Sequence, residues 1–295
     1  MFNKNNSSFL IDATGFVLKY WFTMPKIKTK NFESISAFVG FSNFVRRFLV
    51  NQNPKHICFA FDESLGTCFR NKIFKDYKAN RPTAPDELKI QLSLCREFLD
   101  IIGIKNYASN KYEADDIIFT LCDRNSRKKI QNIVITNDKD LYQVINKEDI
   151  WWNLANKKFS FNDIESNLGF SPKYFPDFQA LTGDSVDNVP GAPGIGKVTA
   201  SFLVKKYKTL DRIFKNYKNL KLLDHGKYSR VADILIKNEK VIYMSKKLVT
   251  LSIIDEIELS HIRVPPDHKK LKEFLIRVGA TKKTLEVWDK FIACR

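Results

Sequence analysis

The sequence predicts an α/β chain, a mostly parallel central sheet flanked by helices, with a mainly helical region after it. Three observations carry that class. Short apolar runs each end in an acidic residue, amphipathic stretches lie between them, and the strand signals fade after about Ser160.

The first run is Phe9-Leu10-Ile11, which leads into Asp12. The segment Ser34 to Val50 follows, with Ile35, Phe38, Val39, Phe41, Val45, Phe48 and Leu49 on one broad helical stripe. Ile57-Cys58-Phe59-Ala60-Phe61 then runs into Asp62. Asp86 to Ile102 repeats the helical pattern through Leu88, Leu92, Leu94, Phe98 and Ile102, and Gly103 is its stop. Tyr112 to Asp116 opens a helix continued by Ile117, Ile118 and Leu121, and Arg124 to Lys129 reads as its solvated end. Ile133-Val134-Ile135 leads into Thr136-Asn137-Asp138, and Trp151-Trp152 reads as a strand and its rim. The runs are continuous rather than alternating, as in strands buried on both faces. Pro172, Pro176, Pro190 and Pro193 punctuate the helical part, and charged helices fill Asp267 to Arg295. The expected division is therefore 1–168 and 169–295.

Composition narrows the class. The 295 residues are 44% hydrophobic and 28% charged, which excludes a disordered or low-complexity chain. No apolar run approaches the roughly 20 residues needed to cross a bilayer. The start, Met1 to Ser8, is polar and unlike a secretory signal. Cys58, Cys68, Cys95, Cys122 and Cys294 are scattered and odd in number, with no C-x-x-C pair. A reduced, cytoplasmic chain without zinc is expected. His56, His225, His261 and His268 have no ligand-spaced partners and read as structural or surface residues. The net charge of +16 points to a polyanionic partner, most often nucleic acid.

The acids are distributed unevenly. In open parallel sheets ligands bind beyond the carboxyl ends of the strands, where Asp12, Asp62 and Asp138 fall. Glu113, Asp115 and Asp116 open a helix, Asp138 and Asp140 form an Asp-x-Asp, and Asp184 and Asp187 are spaced i, i+3. Each cluster alone could be a cap or a dipole partner. Together they would repel, and bound cations make such a pocket tolerable. An all-oxygen donor set favours Mg²⁺ or Mn²⁺. With these nine acids set aside, 24 acids remain against 49 bases, so an acidic pocket would sit within a basic exterior. That combination suits a phosphodiester backbone.

Two further stretches fit the same partner. Gly66 to Pro85 carries Arg70, Lys72, Lys75, Lys78 and Arg81, with Phe69, Ile73 and Tyr77 at i, i+4, i+8. Bases that follow a backbone, with aromatics for stacking, suit a single-strand channel; a solvated helix with an apolar underside is the alternative. Gly191 to Lys197 nearly spells a nucleotide-binding loop, but Val198 stands where Ser or Thr is needed and no strand precedes it. The better reading is a glycine hairpin, Gly194-Ile195-Gly196, whose backbone N–H groups at a helix start can grip a duplex phosphate. Lys197, Lys205 and Lys206 add charge.

These residues resemble the 5′-nuclease superfamily, as in the 5′→3′ exonuclease domain of bacterial DNA polymerase I and the stand-alone flap endonucleases. The resemblance covers roughly residues 8–260 and rests on seven ordered motifs. They are Leu-Ile-Asp at 10–12, Phe-Asp at 61–62, Tyr-Lys-Ala-Asn-Arg at 77–81, Glu-Ala-Asp-Asp at 113–116, Thr-Asn-Asp-Lys-Asp-Leu at 136–141, Leu-Thr-Gly-Asp-Ser-Val-Asp-Asn-Val-Pro-Gly at 181–191 and Gly-Ile-Gly-Lys-Val-Thr-Ala at 194–200.

The resemblance implies a PIN-like 5′-nuclease core over 1–168 with a helical arch at about 66–85. It implies a helical DNA-binding region over 169–295 with a helix–three-turn–helix at about 184–206. One Mg²⁺ would be held by Asp12, Asp62, Glu113, Asp115 and Asp116, and a second, more loosely, by Asp138, Asp140, Asp184 and Asp187. Mn²⁺ would substitute, and K⁺ would bridge the helix–three-turn–helix to DNA. Lys78, Arg81, Asp116 and Asp138 would be catalytic, with Lys78 and Arg81 on the scissile phosphate. DNA contacts would come from Lys19, Arg70, Lys75, Tyr77, Lys78, Arg81, Gly194, Gly196 and Lys197, Tyr77 stacking a base. Water would attack in line, leaving a 5′-phosphate and a 3′-hydroxyl.

The implied substrates are DNA with a 5′ flap, nick or branch, and RNA primer–DNA hybrids, in replication and repair. A monomer near the nucleoid, working beside a separate DNA polymerase, is expected, since no polymerase segment follows Arg295. Ala13 replaces the family's usual Gly, and Leu18-Lys19 its Tyr-Arg, which loses the bidentate fork. Two rival readings are a non-catalytic branched-DNA module and a ribonuclease on the same core. The first predicts missing acids, and none is missing. The stretch Leu181 to Ala200 argues against the second.

Overall fold

The computed structural model describes residues 6–222, 228–256 and 260–293. The expectations for His225 and Cys294 lie outside the described residues. The strands are β1 (Ser7–Asp12), β2 (His56–Asp62), β3 (Lys105–Ser109), β4 (Gln131–Ile135), β5 (Ile150–Trp152) and β6 (Lys158–Ser160). They form one sheet in the order β3-β2-β1-β4-β5-β6, parallel throughout except for β6. The α/β reading holds, and the three apolar runs are β2, β1 and β4 side by side at its centre.

The continuous apolar runs serve two layers. Phe9, Ile11, Ile57, Phe59, Phe61, Ile133 and Ile135 face one cluster, with helices Ala13–Thr23, Ser36–Gln52 and Asp86–Ile101. Leu10, Cys58, Ala60 and Val134 face the other, under helix Ala114–Arg127. A third cluster, from Phe170 to Ile242, contains no strand residue and is mostly helical, with Phe170, Ala192 and Ile195 joining from loops. Among the described residues no helix is long and apolar enough to cross a membrane.

The expected two-part division needs correction at its far end. Residues beyond Ser260 return to the sheet: Ile57 N donates to the His261 carbonyl at 2.7 Å, and Val264 N to that of Gly103 at 2.9 Å. Gly103 has φ +73°, and a Cβ there would lie 2.1 Å from the Val264 carbonyl oxygen, so only glycine admits this crossing. Helices His268–Arg277 and Lys282–Ala293 then seat Leu271, Phe274, Leu275 and Trp288 in the first cluster. Apolar surface left open beside β2 and helix Asp86–Ile101 attracts them.

The same crossing pairs His56 with His261, ring centroids 5.0 Å apart. Burial first, then His56 and Lys128, push His261 down to about 4, and burial with Lys55 also lowers His56. The unfolded chain therefore binds protons more readily between the ordinary imidazole value of 6.5 and about 4. The pair is harmless above that window, and stability falls as pH drops through it. Thermal midpoints measured from pH 7 to 4.5 should show this acid limb, flattened in His261→Asn. An equal slope in the variant would remove the assignment.

Candidate active site

The strand order assembles the acids. β1 and β4 are neighbours, so Asp12 at the end of one and Asp138 just past the other lie side by side. Thr136 joins them: its hydroxyl donates to Asp12 Oδ2 at 3.0 Å and accepts Asp138 N at 2.9 Å. Asp12 also caps the helix that follows, accepting Gly15 N at 3.3 Å. Asp62 ends β2 on the other side of β1, anchored by its own N–H to the Thr14 hydroxyl at 2.9 Å. Glu113 and Asp115 come from the start of helix Ala114–Arg127.

Asp140 follows Asp138 in a short 3₁₀ turn, with its N–H on Asp138 Oδ1 at 2.9 Å. Asp184 and Asp187 lie on a loop closed by glycine. A Cβ on Gly191, at φ +63°, would lie 2.2 Å from Gly183 N, so the loop's two ends meet backbone to backbone. Asp184 Oδ1 accepts Val186 N at 2.7 Å.

The electrostatics are those of crowded like charges. Burial, then Asp138, raises the Asp12 carboxyl to about 6. Asp115 is pushed well up by burial, Asp138 and Asp12. Asp140 is pushed well up by burial and Asp138, with Asp187 and Asp184 adding to it. Asp138 and Glu113 are also raised, by burial first. Eight of the nine predicted acids thus converge at the carboxyl edge of the sheet. Among the described residues, no three His, Cys, Asp or Glu side chains are already drawn close enough to hold an ion. Positive groups lie among the carboxylates instead: Lys78 pairs with Glu113 and with Asp187, and Arg81 with Asp187.

Asp116 is the exception. It is fully buried, and both its oxygens are taken by Arg70, at 2.7 and 2.8 Å. Its remaining acceptor capacity goes to Glu113 N at 3.1 Å and Ser252 N at 2.9 Å. The expectation that Asp116 is a metal ligand and a catalytic group is therefore corrected: it caps its helix and neutralises a buried arginine.

Arg70 is corrected in turn. It is 0% exposed, and beyond Asp116 it reaches Glu113 at 3.1 Å and donates to the Leu248 carbonyl at 2.7 Å. No DNA backbone can reach it.

The arch is also different from its expected form. Only Arg70–Ile73 is helical, and the remainder to Pro85 is turns that dock on the Asp184 loop. Lys78 N donates to the Asp187 carbonyl at 3.0 Å, and Asn80 Nδ2 to that of Ser185 at 2.9 Å. Lys78 takes φ +56° to do so. Tyr77 is buried beside Val189, Leu248 and Val249, and its hydroxyl donates to Glu113 Oε2 at 3.1 Å. It is not a stacking platform here. Lys75 stays exposed and, with Lys78 and Arg81, lines a cavity of about 1090 Å³ beneath this strap.

The helix pair around the glycine hairpin begins earlier than expected. Helix Phe175–Thr182 leads through a loop to helix Lys197–Tyr207, so residues 184–196 are loop. Gly194 takes φ +96°, Gly196 caps the second helix with open space around it, and Lys197 is exposed. Lys19 is exposed too.

Sequence reasoning missed Gln179. Its amide donates to Asp140 Oδ1 at 2.6 Å and Asp184 Oδ2 at 3.3 Å, while its buried Oε1 has no donor. A glutamine inside a helix gave no local signal.

Comparison with known proteins places the fold and the family. A family model described as the 5'-3' exonuclease, N-terminal resolvase-like domain, matches residues 7–169, and its C-terminal SAM fold matches 170–270. A curated relative from Aquifex aeolicus named 5'-3' exonuclease is 33% identical over 90% of each chain. Zinc-bound T5 5'-exonuclease shares the fold at TM-score 0.67 and 17% identity, over 98% of this chain and 97% of that one. The catalytic core of Rad2 with DNA substrate shares it at TM-score 0.64 and 17% identity, over 98% and 92%. With both family models matched in order across the sheet and the helical region, the chain belongs to the 5'-3' exonuclease family of nucleases.

Proposed function

We propose that this nuclease hydrolyses phosphodiester bonds near the 5′ end of DNA at flaps, nicks and branches, with divalent metal ions. RNA primers hybridised to DNA are included, and the setting is replication and repair beside a separate polymerase. The observation that supports this most is the convergence of eight acids at one sheet edge, at a cost in repulsion that bound cations remove. The donor set is all oxygen, and the buried Gln179 Oε1, which accepts no hydrogen bond, adds one more oxygen beside Asp140 and Asp184. Both features fit Mg²⁺, with Mn²⁺ as substitute.

Asp12, Asp62, Glu113 and Asp115 would hold one ion, and Asp138, Asp140, Asp184 and Asp187 another. Bound there, the ions supply a nucleophilic hydroxide at neutral pH and neutralise charge at the scissile phosphate. The chain's own residues do the remainder. Thr136 fixes Asp12 against Asp138. Lys78 and Arg81 pair with these carboxylates and line the strap cavity, and they would turn to a phosphate oxygen as the substrate arrives. Lys75 and Lys19 extend the positive rim. The N–H groups after Gly194 and Gly196, with Lys197, would grip duplex phosphates, and K⁺ would bridge there.

A labelled 5′-flap duplex incubated with the protein and Mg²⁺ should be cut near the junction, and chelation should stop the reaction. An intact flap beside cleaved unstructured RNA would reject this function in favour of a ribonuclease.

A further inference from the structure

A second cavity flanks the carboxylate centre on the side away from the strap. It has a volume of about 500 Å³ and opens between helices Ala13–Thr23 and Ser36–Gln52 and the turn that joins β5 to β6. Its charged lining is Lys19, Arg47 and Lys158, with no acid among the described residues. All three cations are exposed. Lys158 Nζ lies 4.2 Å from the Trp152 ring centroid, Arg47 Nε donates to the Asn43 carbonyl at 3.3 Å, and Lys19 donates to the Leu154 carbonyl at 3.2 Å. These contacts hold like charges around one hollow, where each raises the potential felt by the others. An anion is the ligand that relieves them.

The topology says where that anion belongs. Strands lie about 4.8 Å apart, so β5, two places from β1, sits roughly 10 Å from Asp12, while Asp62 and the strap lie on the opposite side. Lys19 is seven residues along the helix that Asp12 caps, again about 10 Å at 1.5 Å per residue. The turn bearing Leu154 is tied to the acidic motif, its N–H on Asn137 Oδ1 at 2.9 Å. A duplex strand rises about 3.4 Å per nucleotide along its axis and winds about it as well, so the cavity is about two nucleotides from the reacting bond.

We infer that this cavity is a further anion subsite that holds a backbone phosphate of the substrate strand, about two nucleotides from the cut on the side opposite the strap. Arg47 and Lys158 are its specificity-neutral contacts. A phosphate contact carries no sequence information, but it fixes register. The inference deepens the nuclease reading and rests on it.

The test uses the full chain and a 5′-flap duplex with Mg²⁺. Arg47→Ala and Lys158→Gln should each raise KM roughly tenfold with a much smaller effect on kcat, and lower the salt slope of binding by about one. Thermal midpoints of both variants check folding. Substrates carrying one neutral methylphosphonate at successive positions should show the same KM rise at one position in the wild type. Arg47→Ala should be indifferent to that replacement. Independent, additive losses would overturn the subsite, as would variants that match the wild type. Inorganic phosphate that binds the cavity at millimolar concentration but leaves the KM difference unchanged would assign the cavity to a free anion and overturn the strand contact. A wild type that cuts no flap fails the parent reading instead.

Discussion

Asp138→Ala should lower turnover of a 5′-flap substrate on the order of 10³-fold while leaving DNA affinity within a few fold. Asp138 follows the central strand β4, shares Thr136 with Asp12 and supports the Asp140 turn through its Oδ1. Its charge raises Asp12, Asp115 and Asp140 alike, so it sits where the acids crowd most. In the proposed site, removing it takes away one oxygen donor. A loss of about 4 kcal/mol of charge stabilisation in the transition state corresponds to that rate at 1.36 kcal/mol per tenfold. The basic surfaces that gather DNA are untouched, so affinity measured by anisotropy with Ca²⁺ should persist. Single-turnover rates with Mg²⁺ read the chemical step. The variant should also be no less stable to heat, because a repelling charge has gone. Weakened binding with normal turnover of bound substrate would contradict the placement.

Asp116→Ala should behave in the opposite manner, losing stability first. The change leaves the Arg70 guanidinium fully buried without its bidentate partner. Breaking a buried ion pair from one side typically costs about 3–5 kcal/mol. Against a total of roughly 5–15 kcal/mol for a typical domain, that is a large fraction. Arg70→Ala strands Asp116 and should cost a similar amount. The double variant Arg70→Met with Asp116→Leu should recover much of the loss, since neither charge is then left alone. Denaturant midpoints for the three variants decide the matter. An Asp116→Ala protein of normal stability and no activity would return Asp116 to the metal centre.

What separates these two aspartates was only partly legible in the chain. Asp12, Asp62 and Asp138 could be placed because a strand buried on both faces is a continuous apolar run, and its carboxyl end is a known ligand edge. Asp116 stood in the same motif as Asp115, one residue away. The signal that distinguishes it is local: Glu113 and Asp116 form a capping box, the pattern of a helix start. Its partner Arg70 is 46 residues away and sits in a basic stretch, where an arginine resembles a phosphate contact. Only the folded chain brings the two together.

The strap misled for a related reason. Phe69, Ile73 and Tyr77 have helical spacing, but Tyr77 finds its apolar neighbours in Val189, Leu248 and Val249, and the segment bends to meet them. β3 escaped notice because Lys105–Ser109 is a polar edge strand with little hydrophobic pattern. β6 is three residues long, too short for any periodicity.

The return of the chain beyond Ser260 changes what counts as a separable piece. Phe274 meets Phe38 at 5.4 Å between ring centroids, and Trp288 meets Phe98 at 5.0 Å. The helical region is thus a handle riveted at both ends to the sheet it serves. A fragment cut after residue 168 would keep the carboxylate-bearing strands yet lose Phe274 and Trp288 from the cluster beneath them. The half of the sequence that carries most of the acids is not a half of the molecule that can stand by itself.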